Sequence, residues 1–272
     1  MLAIAGDPEC GSMTEWNASE YARISGLQAA MAEEALSSLD LKGTDQVLDV
    51  GCGNGKTTAE IAARVPQGAV VGVDASAEMI AFAATQGASH PNLQFAVADA
   101  RHLPYQHQFD RVVSFNALHW IPEQAQALIS IRAALKPNGL AQLRLVPKAE
   151  RKSLENVIEE TRLSPRWAGY FKSFRDPYLH LTAAQYGELA GKNGFAVLRT
   201  QVAARVWDFQ SRSAFLAFGG VTFVEWTQHL PEDERLPFAV DVLERYQQVA
   251  ADAPGEENFF RFYQMDITLS PR

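Results

Sequence analysis

The stretch Gln46 to Gly55, QVLDVGCGNG, constrains this chain more than any other. Val47, Leu48 and Val50 read as a buried strand that ends in a turn with glycine at positions 51, 53 and 55. A helical pattern comes directly after it, over 57–65. Glycine is needed where the backbone takes positive φ, or where another group must lie against the main chain with no Cβ between. Alternate glycines after a strand and before a helix therefore place a ligand at the strand's carboxyl end.

Three ligand readings compete for the turn. A dinucleotide site needs G-x-G-x-x-G, and here the third glycine comes one residue early. In a phosphate-binding P-loop Gly55-Lys56-Thr57 would be the GK[ST] end, but the position that must be the first glycine is Val50. The third reading is a D-x-G-x-G turn for S-adenosylmethionine (SAM), and Asp49-Val50-Gly51-Cys52-Gly53 fits it. A turn whose glycines serve only the chain's own geometry is the remaining alternative.

The order of the downstream strands narrows the choice. Residues 70–74 (VVGVD) form a second apolar strand ending in an acid, about 20 residues beyond the glycines, where a carboxylate can accept from both hydroxyls of a ribose. Residues 95–99 (FAVAD) and Phe109–Phe115 (FDRVVSF) give a third and a fourth strand. With these four motifs in this order, the chain resembles the class I SAM-dependent methyltransferases over roughly residues 15–200.

The resemblance implies an α/β, Rossmann-like fold: a mostly parallel seven-stranded sheet with an antiparallel last strand, plus a helical cap. It implies SAM as cofactor and S-adenosylhomocysteine as product. It also implies residue roles. Asp49 would orient the methionine amino end, and Gly51 and Gly53 would let the backbone approach the cofactor. Asp74 would take the ribose hydroxyls, with Ala75 and Met79 flanking the adenine. Asp99 would accept from the adenine amino group, the Ala100 N–H would reach the ring, and the Asn116 carbonyl would meet the methionine ammonium.

Composition excludes other partners. The 272 residues are 47% hydrophobic, enough for one large core or a core plus a cap. A net charge of −8 argues against a nucleic-acid partner, because phosphate binding needs clustered Lys and Arg. No apolar run reaches the roughly 20 residues of a membrane span, and the N-terminus lacks a signal-peptide pattern, so a cytoplasmic protein is expected. The two cysteines, Cys10 and Cys52, indicate neither a disulfide framework nor a metal site, and Cys52 reads as a small buried filler. The sequence leaves the oligomeric state open.

Along the chain, Asn17 is the expected cap of an amphipathic helix carrying Tyr21, Ile24, Leu27, Met31, Ala35 and Leu39. Residues 1–149 are expected to be this helix plus the SAM-binding half. Residues 182–207 give a helix and strand six, and 256–272 give the last, antiparallel strand. The segments 150–181 and 208–255 are expected to be a helical cap, with breaks at Pro231 and Pro237. Cap aromatics such as Trp167, Tyr170, Phe171, Phe174, Phe215, Phe218, Phe223 and Trp226 either line an apolar pocket or form plain core.

Two local patterns carry a narrower resemblance: Tyr21-x-x-x-Ser25-x-x-Gln28 and Leu118-His119-Trp120. Together they resemble the carboxyl methyltransferases acting on juvenile hormone acid and on trans-aconitate. That resemblance implies that Gln28 and Trp120 hold the carboxylate of a small-molecule acid. Trp and Gln are neutral donors, and a carboxylate ionised at neutral pH needs no general base. No anchor for a tricarboxylate is evident. His119 has three readings: a third donor, a general base for an O-, N- or C-methyl acceptor of higher pKa, or a structural histidine. The other five histidines, at 90, 102, 107, 180 and 229, sit in loop-like or unpatterned positions. A non-catalytic SAM-binding sensor or assembly protein is the alternative outside enzymes.

Overall fold

A computed structural model of the chain describes residues 26–87 and 90–272. The expected cap Asn17, Tyr21, Ser25 and Cys10 lie outside the described residues. Chain order is α1 (Gly26–Ser37), β1 (Gln46–Val50), α2 (Lys56–Arg64), β2 (Ala69–Asp74), α3 (Ala77–Gly87), β3 (Leu93–Val97), β4 (Phe109–Phe115), α4 (Gln124–Ala134) and β5 (Leu135–Leu145). Then come α5 (Leu154–Arg162), α6 (Ala183–Lys192), β6 (Phe195–Asp208), α7 (Arg212–Thr222), α8 (Val224–Thr227), α9 (Glu232–Ala250) and β7 (Phe259–Pro271).

The strands form one seven-stranded sheet in the order β3-β2-β1-β4-β5-β7-β6, in which β7 alone runs antiparallel to its neighbours. β2 and β4 flank β1 on opposite sides, both parallel to it. The winding direction reverses there, which is where a crevice for a ligand is expected, at the carboxyl ends of β1 and β4.

Both faces of the sheet are covered, which is why β1 is apolar except at Gln46, its first residue, and Asp49. Leu36 of α1 and Ile61 and Ala62 of α2 pack on Val47, Val70 and Val113. Leu128 and Ile131 of α4 and Tyr186 of α6 pack on the other face with Leu48, Val112 and Leu143. Local sequence sets the ends of several helices. Ser76 Oγ accepts from Met79 N at 3.2 Å, and Thr182 and Gln185 complete a capping box on α6.

A second apolar cluster sits outside the sheet. It joins α5, the aromatic stretch after it, and α7 to α9, with Trp167, Trp226, Phe238 and Tyr246 fully buried. Phe260 and Phe262, at the start of β7, belong to this cluster, whereas Met265, Ile267 and Leu269 of the same strand belong to the sheet core. Among the described residues no helix is long and apolar enough to cross a membrane.

Two local expectations change. Pro237 does not break a helix: it lies inside α9. The hydrogen bond it forfeits would have gone to the carbonyl of Asp233, an exposed residue that water can solvate. The sequence Lys136-Pro137-Asn138-Gly139 reads as a sharp turn before a strand at 140–146, but the strand begins at Leu135. Leu135 pairs with Phe109 and Leu140 with Arg111, so residues 136–139 form an irregularity within β5 rather than a turn before it.

Candidate active site

The site is built from the two loops at the crevice. After β1 the backbone turns with Gly51 at φ 76°, Gly53 at 52° and Gly55 at 77°. The three glycines serve different needs. A Cβ on Gly51 would lie 2.2 Å from the Cβ of Ala117, so this glycine lets the β1 and β4 loops touch. One on Gly55 would meet Ala83 and Phe95 at 2.7 Å, so it lets the turn pack on α3 and β3. One on Gly53 would meet nothing within 4 Å, so the space beside this residue is open. Asp74 fixes the turn from β2: its Oδ2 accepts from Gly53 N at 2.9 Å and its Oδ1 from Ser76 N at 3.0 Å. Cys52 is buried, and burial next to Asp49 and Asp74 pushes its thiol up, which fits a filler and not a nucleophile.

Asp49 lies beneath the turn, 2% exposed. Burial raises its carboxyl from the usual range to about 7; the Thr58 hydroxyl, donating at 2.7 Å, opposes the shift and the nearby Asp74 adds to it. Across the crevice Asn116 takes φ 56°, in the left-handed region. Asparagine tolerates that conformation. Its side-chain oxygen accepts from Gln264 Nε2 at 2.9 Å, and the same nitrogen donates to Leu145 O at 2.9 Å. Strand β7 thereby braces the loop after β4.

The residues after Asn116 form a single 3₁₀ turn, Leu118–Trp120. His119 is buried, and burial lowers its pKa to about 3, with the nearby His180 adding to the effect. Its Nδ1 accepts from Val146 N at 3.4 Å, which assigns the ring proton to Nε2. Trp120 meets Tyr178 edge-on at 4.2 Å, and Tyr178 in turn lies 6.0 Å from Trp226.

These pieces enclose a cavity of about 670 Å³. At one end it is lined by Asp49, Gly51, Gly53 and Asn116, and beyond them by His119, Trp120 and Tyr178. Leu27 and Met31 of α1, Phe218, Phe223 and Trp226 of the helical cluster, and Phe260 and Phe262 of β7 supply apolar walls. The volume is in the range of small-molecule sites.

The cavity thus unites six of the sequence-identified residues. Asp74, Ala75, Met79, Asp99 and Ala100 do not line it; Asp74 ends β2, and the others follow the carboxyl ends of β2 and β3. Met79 is buried core, 4% exposed. Both oxygens of Asp99 are engaged by the guanidinium of Arg101, at 2.7 to 3.0 Å. Burial alone would raise the Asp99 pKa, but these bonds hold it below the usual range. Gln28 falls in the first turn of α1, and its side chain lies outside the described residues.

Of the cap aromatics, Phe218, Phe223 and Trp226 line the cavity. Trp167, Phe171 and Phe215 are core, and Tyr170 is exposed. Sequence reasoning gives His180 no role, yet its ring stands 4.6 Å from Tyr178, against the cavity's aromatic wall. It also misses Phe260 and Phe262, whose alternate spacing on β7 is the available signal, and Arg144. That buried arginine pairs with Asp266 at 2.6 Å and donates to Met31 O at 3.0 Å, tying α1 to the sheet.

The chain is also similar to known proteins. Residues 47–139 match the family described as "Methyltransferase domain". The chain is 28% identical over 256 residues to a trans-aconitate 2-methyltransferase of Deinococcus radiodurans, covering 91% of this chain and 95% of that one. It is 26% identical over 231 residues to putative methyltransferase 235L of invertebrate iridescent virus 6, covering 85% of each. Among solved structures, the YcgJ protein of Bacillus subtilis superposes with a TM-score of 0.65 at 16% identity, over 90% of this chain and 99% of that one. Phosphoethanolamine N-methyltransferase 2 of Haemonchus contortus, solved with S-adenosyl-L-methionine, gives 0.60 at 18% identity, over 94% of this chain and 57% of that one.

Proposed function

The chain is a SAM-dependent methyltransferase with the class I fold, and from that premise we propose that it methylates the carboxylate of a small or medium apolar acid, forming a methyl ester. The observation that carries the proposal is His119. A general base matched to neutral pH needs a pKa near 7. The buried imidazole, with its pKa near 3, instead offers a neutral N–H donor beside Trp120. An acceptor that arrives already ionised fits such a site.

The residues present fit SAM at the glycine-turn end. Gly53 leaves open space, Asp49 would face the methionine ammonium, and the Asn116 carbonyl would accept from it. Asp74, set at the turn by accepting from Gly53 N and Ser76 N, would meet the ribose hydroxyls. Ala75, Met79 and the Ala100 N–H would border the adenine. Asp99 would reach the adenine amino group through an oxygen it shares with Arg101. When bound, the cofactor supplies an electrophilic methyl group on a sulfonium.

This chain's residues then position and desolvate. Trp120, Gln28 and His119 would donate to the acceptor carboxylate and aim one oxygen along the line of transfer. The aromatic walls exclude water, which favours a step in which a carboxylate and a sulfonium lose their charges together. We take 150–181 and 208–255 as the cap that closes over this acceptor. The relatedness to trans-aconitate 2-methyltransferases supports a carboxylate as the accepting group.

The test is methyl-labelled SAM with a panel of free acids, from short dicarboxylates to long-chain and aryl acids, and then mild base. Label released by base from one acid class is the expected result. Base-stable label, or transfer only to hydroxyl or amine compounds, would overturn the reading.

A further inference from the structure

The carboxylate reading leaves Glu155 of the cavity wall unused, among other charged lining residues at Glu33, Lys56, Glu60 and Arg64. Glu155 lies in the first turn of α5 and lines the cavity between Leu154 and Ile158. The helix does not need it as a cap, because Ser153 and Asn156 complete the capping box between themselves. Its companions on α5 are committed elsewhere. Glu159 accepts from Trp226 Nε1 at 2.6 Å and pairs with Arg162, and Glu160 pairs with Lys152 at 2.7 Å. Among the described residues Glu155 has neither a hydrogen bond nor an ion pair.

Its charge nevertheless reaches the pocket. Burial lowers the pKa of His180, and Glu155 is the group that works against that shift. His180 abuts Tyr178, and Tyr178 abuts Trp120. The donors His119 and Trp120 enter the cavity from the loop after β4, while Glu155 enters from α5. A bound acid therefore meets donors from one element and the Glu155 carboxylate from another.

We propose that Glu155 reads the end of the acceptor remote from the methylated carboxylate, accepting a hydrogen bond from a hydroxyl or ammonium group there and excluding a second carboxylate. The inference rests on the carboxyl methyltransferase reading and narrows its substrate to a monocarboxylic acid with a distal donor. A carboxylate without a hydrogen-bond or ion-pair partner at a cavity wall is relieved by a ligand donor and opposes a ligand anion. A site built to meet a donor discriminates strongly against analogues that lack it. The same contact works against polyacids by repulsion, which is how specificity is often reinforced.

The experiment uses a matched series of straight-chain acids that differ only at the far end, which carries methyl, hydroxyl, ammonium or carboxylate. Each is assayed with labelled SAM against the intact chain, Glu155→Gln and Glu155→Lys. In the unmodified chain the hydroxy or amino acid is expected to exceed the diacid at least tenfold in kcat/KM. Glu155→Gln should shrink that ratio about tenfold, mainly through KM, and Glu155→Lys should invert it. The Kd for SAM should be unchanged, which also reports that the variants are folded. Esters formed with an unchanged ratio in both variants would overturn the inference and leave the carboxyl reading standing. Methyl transfer to hydroxyl or amine compounds but to none of the acids would overturn both.

Discussion

The Thr58 hydroxyl donates to Oδ2 of Asp49 at 2.7 Å, beneath the glycine turn, and it is the one hydrogen bond of that buried carboxyl among the described residues. One neutral donor does not offset the loss of water, so the acid sits near pKa 7. An ammonium beside it would favour ionisation, and so cofactor binding should be coupled to loss of the Asp49 proton.

SAM affinity is therefore expected to rise as pH goes from about 6 to 7.5, approaching tenfold per unit in the limit. In Asp49→Asn the affinity should be weaker and flat across that interval. Isothermal titration at several pH values reads both; a pH-independent Kd in the unmodified chain would remove Asp49 from the coupling.

Asp49 and His119 should also leave opposed marks on stability. The folded Asp49 holds its proton up to about 7, above its unfolded value of 3.8, so its contribution falls as pH rises between them. The folded His119 stays neutral down to about 3, below its unfolded 6.5, so its contribution rises with pH over that span. Each is worth up to about 1.4 kcal/mol per pH unit, and from about pH 4 to 6.5 the two offset. Urea unfolding from pH 4.5 to 6.5 should show the slope of stability turning upward with pH in Asp49→Asn and downward in His119→Asn. Parallel slopes in the two variants would refute this account.

The glycines separate chain geometry from ligand space. Gly51→Ala drives a methyl into Ala117 at positive φ and should cost at least about 2 kcal/mol of stability. Gly53→Ala meets open space, so its cost should stay near 1 kcal/mol, while SAM affinity drops at least tenfold. Thermal unfolding with and without SAM distinguishes the two.

On the acceptor side, Trp120→Phe keeps the ring beside Tyr178 and removes the indole N–H. It should lower kcat/KM for the acid about 10- to 100-fold, the worth of one hydrogen bond to a charged group. Gln28→Ala should behave similarly, and both should exceed His119→Ala. The rate should show no fall toward pH 6 attributable to His119. A reversed ranking, with the rate dropping below pH 7, points to a base.

The features readable in the sequence are local. The turn between β1 and α2, and the acids ending strands two and three, are set by neighbours within a few positions, so periodicity and residue type reveal them. Arg144 is not readable: its partners Met31 and Asp266 are more than a hundred positions away in the chain. Glu155 looks like an ordinary first-turn acid until the fold turns it toward the cavity. Pro237 reads as a helix break because sequence does not show that Asp233 faces water. Asp99 reads as an adenine contact without its guanidinium, although Arg101 stands only two residues on.

Strand β7 carries a consequence for how this protein is made. β5 and β6 are both hydrogen-bonded to β7 and not to each other, and Phe260, Phe262 and Gln264 all lie on it. During synthesis from the N-terminus, β6 emerges with no neighbour in the sheet. The loop after β4 waits for its Gln264 brace, and the aromatic cluster stays open on one side. Unpaired apolar strands of this kind are what chaperones bind and what aggregates. The nascent chain is thus expected to stay protease-sensitive until β7 leaves the ribosome, then to acquire sheet and pocket in one cooperative step.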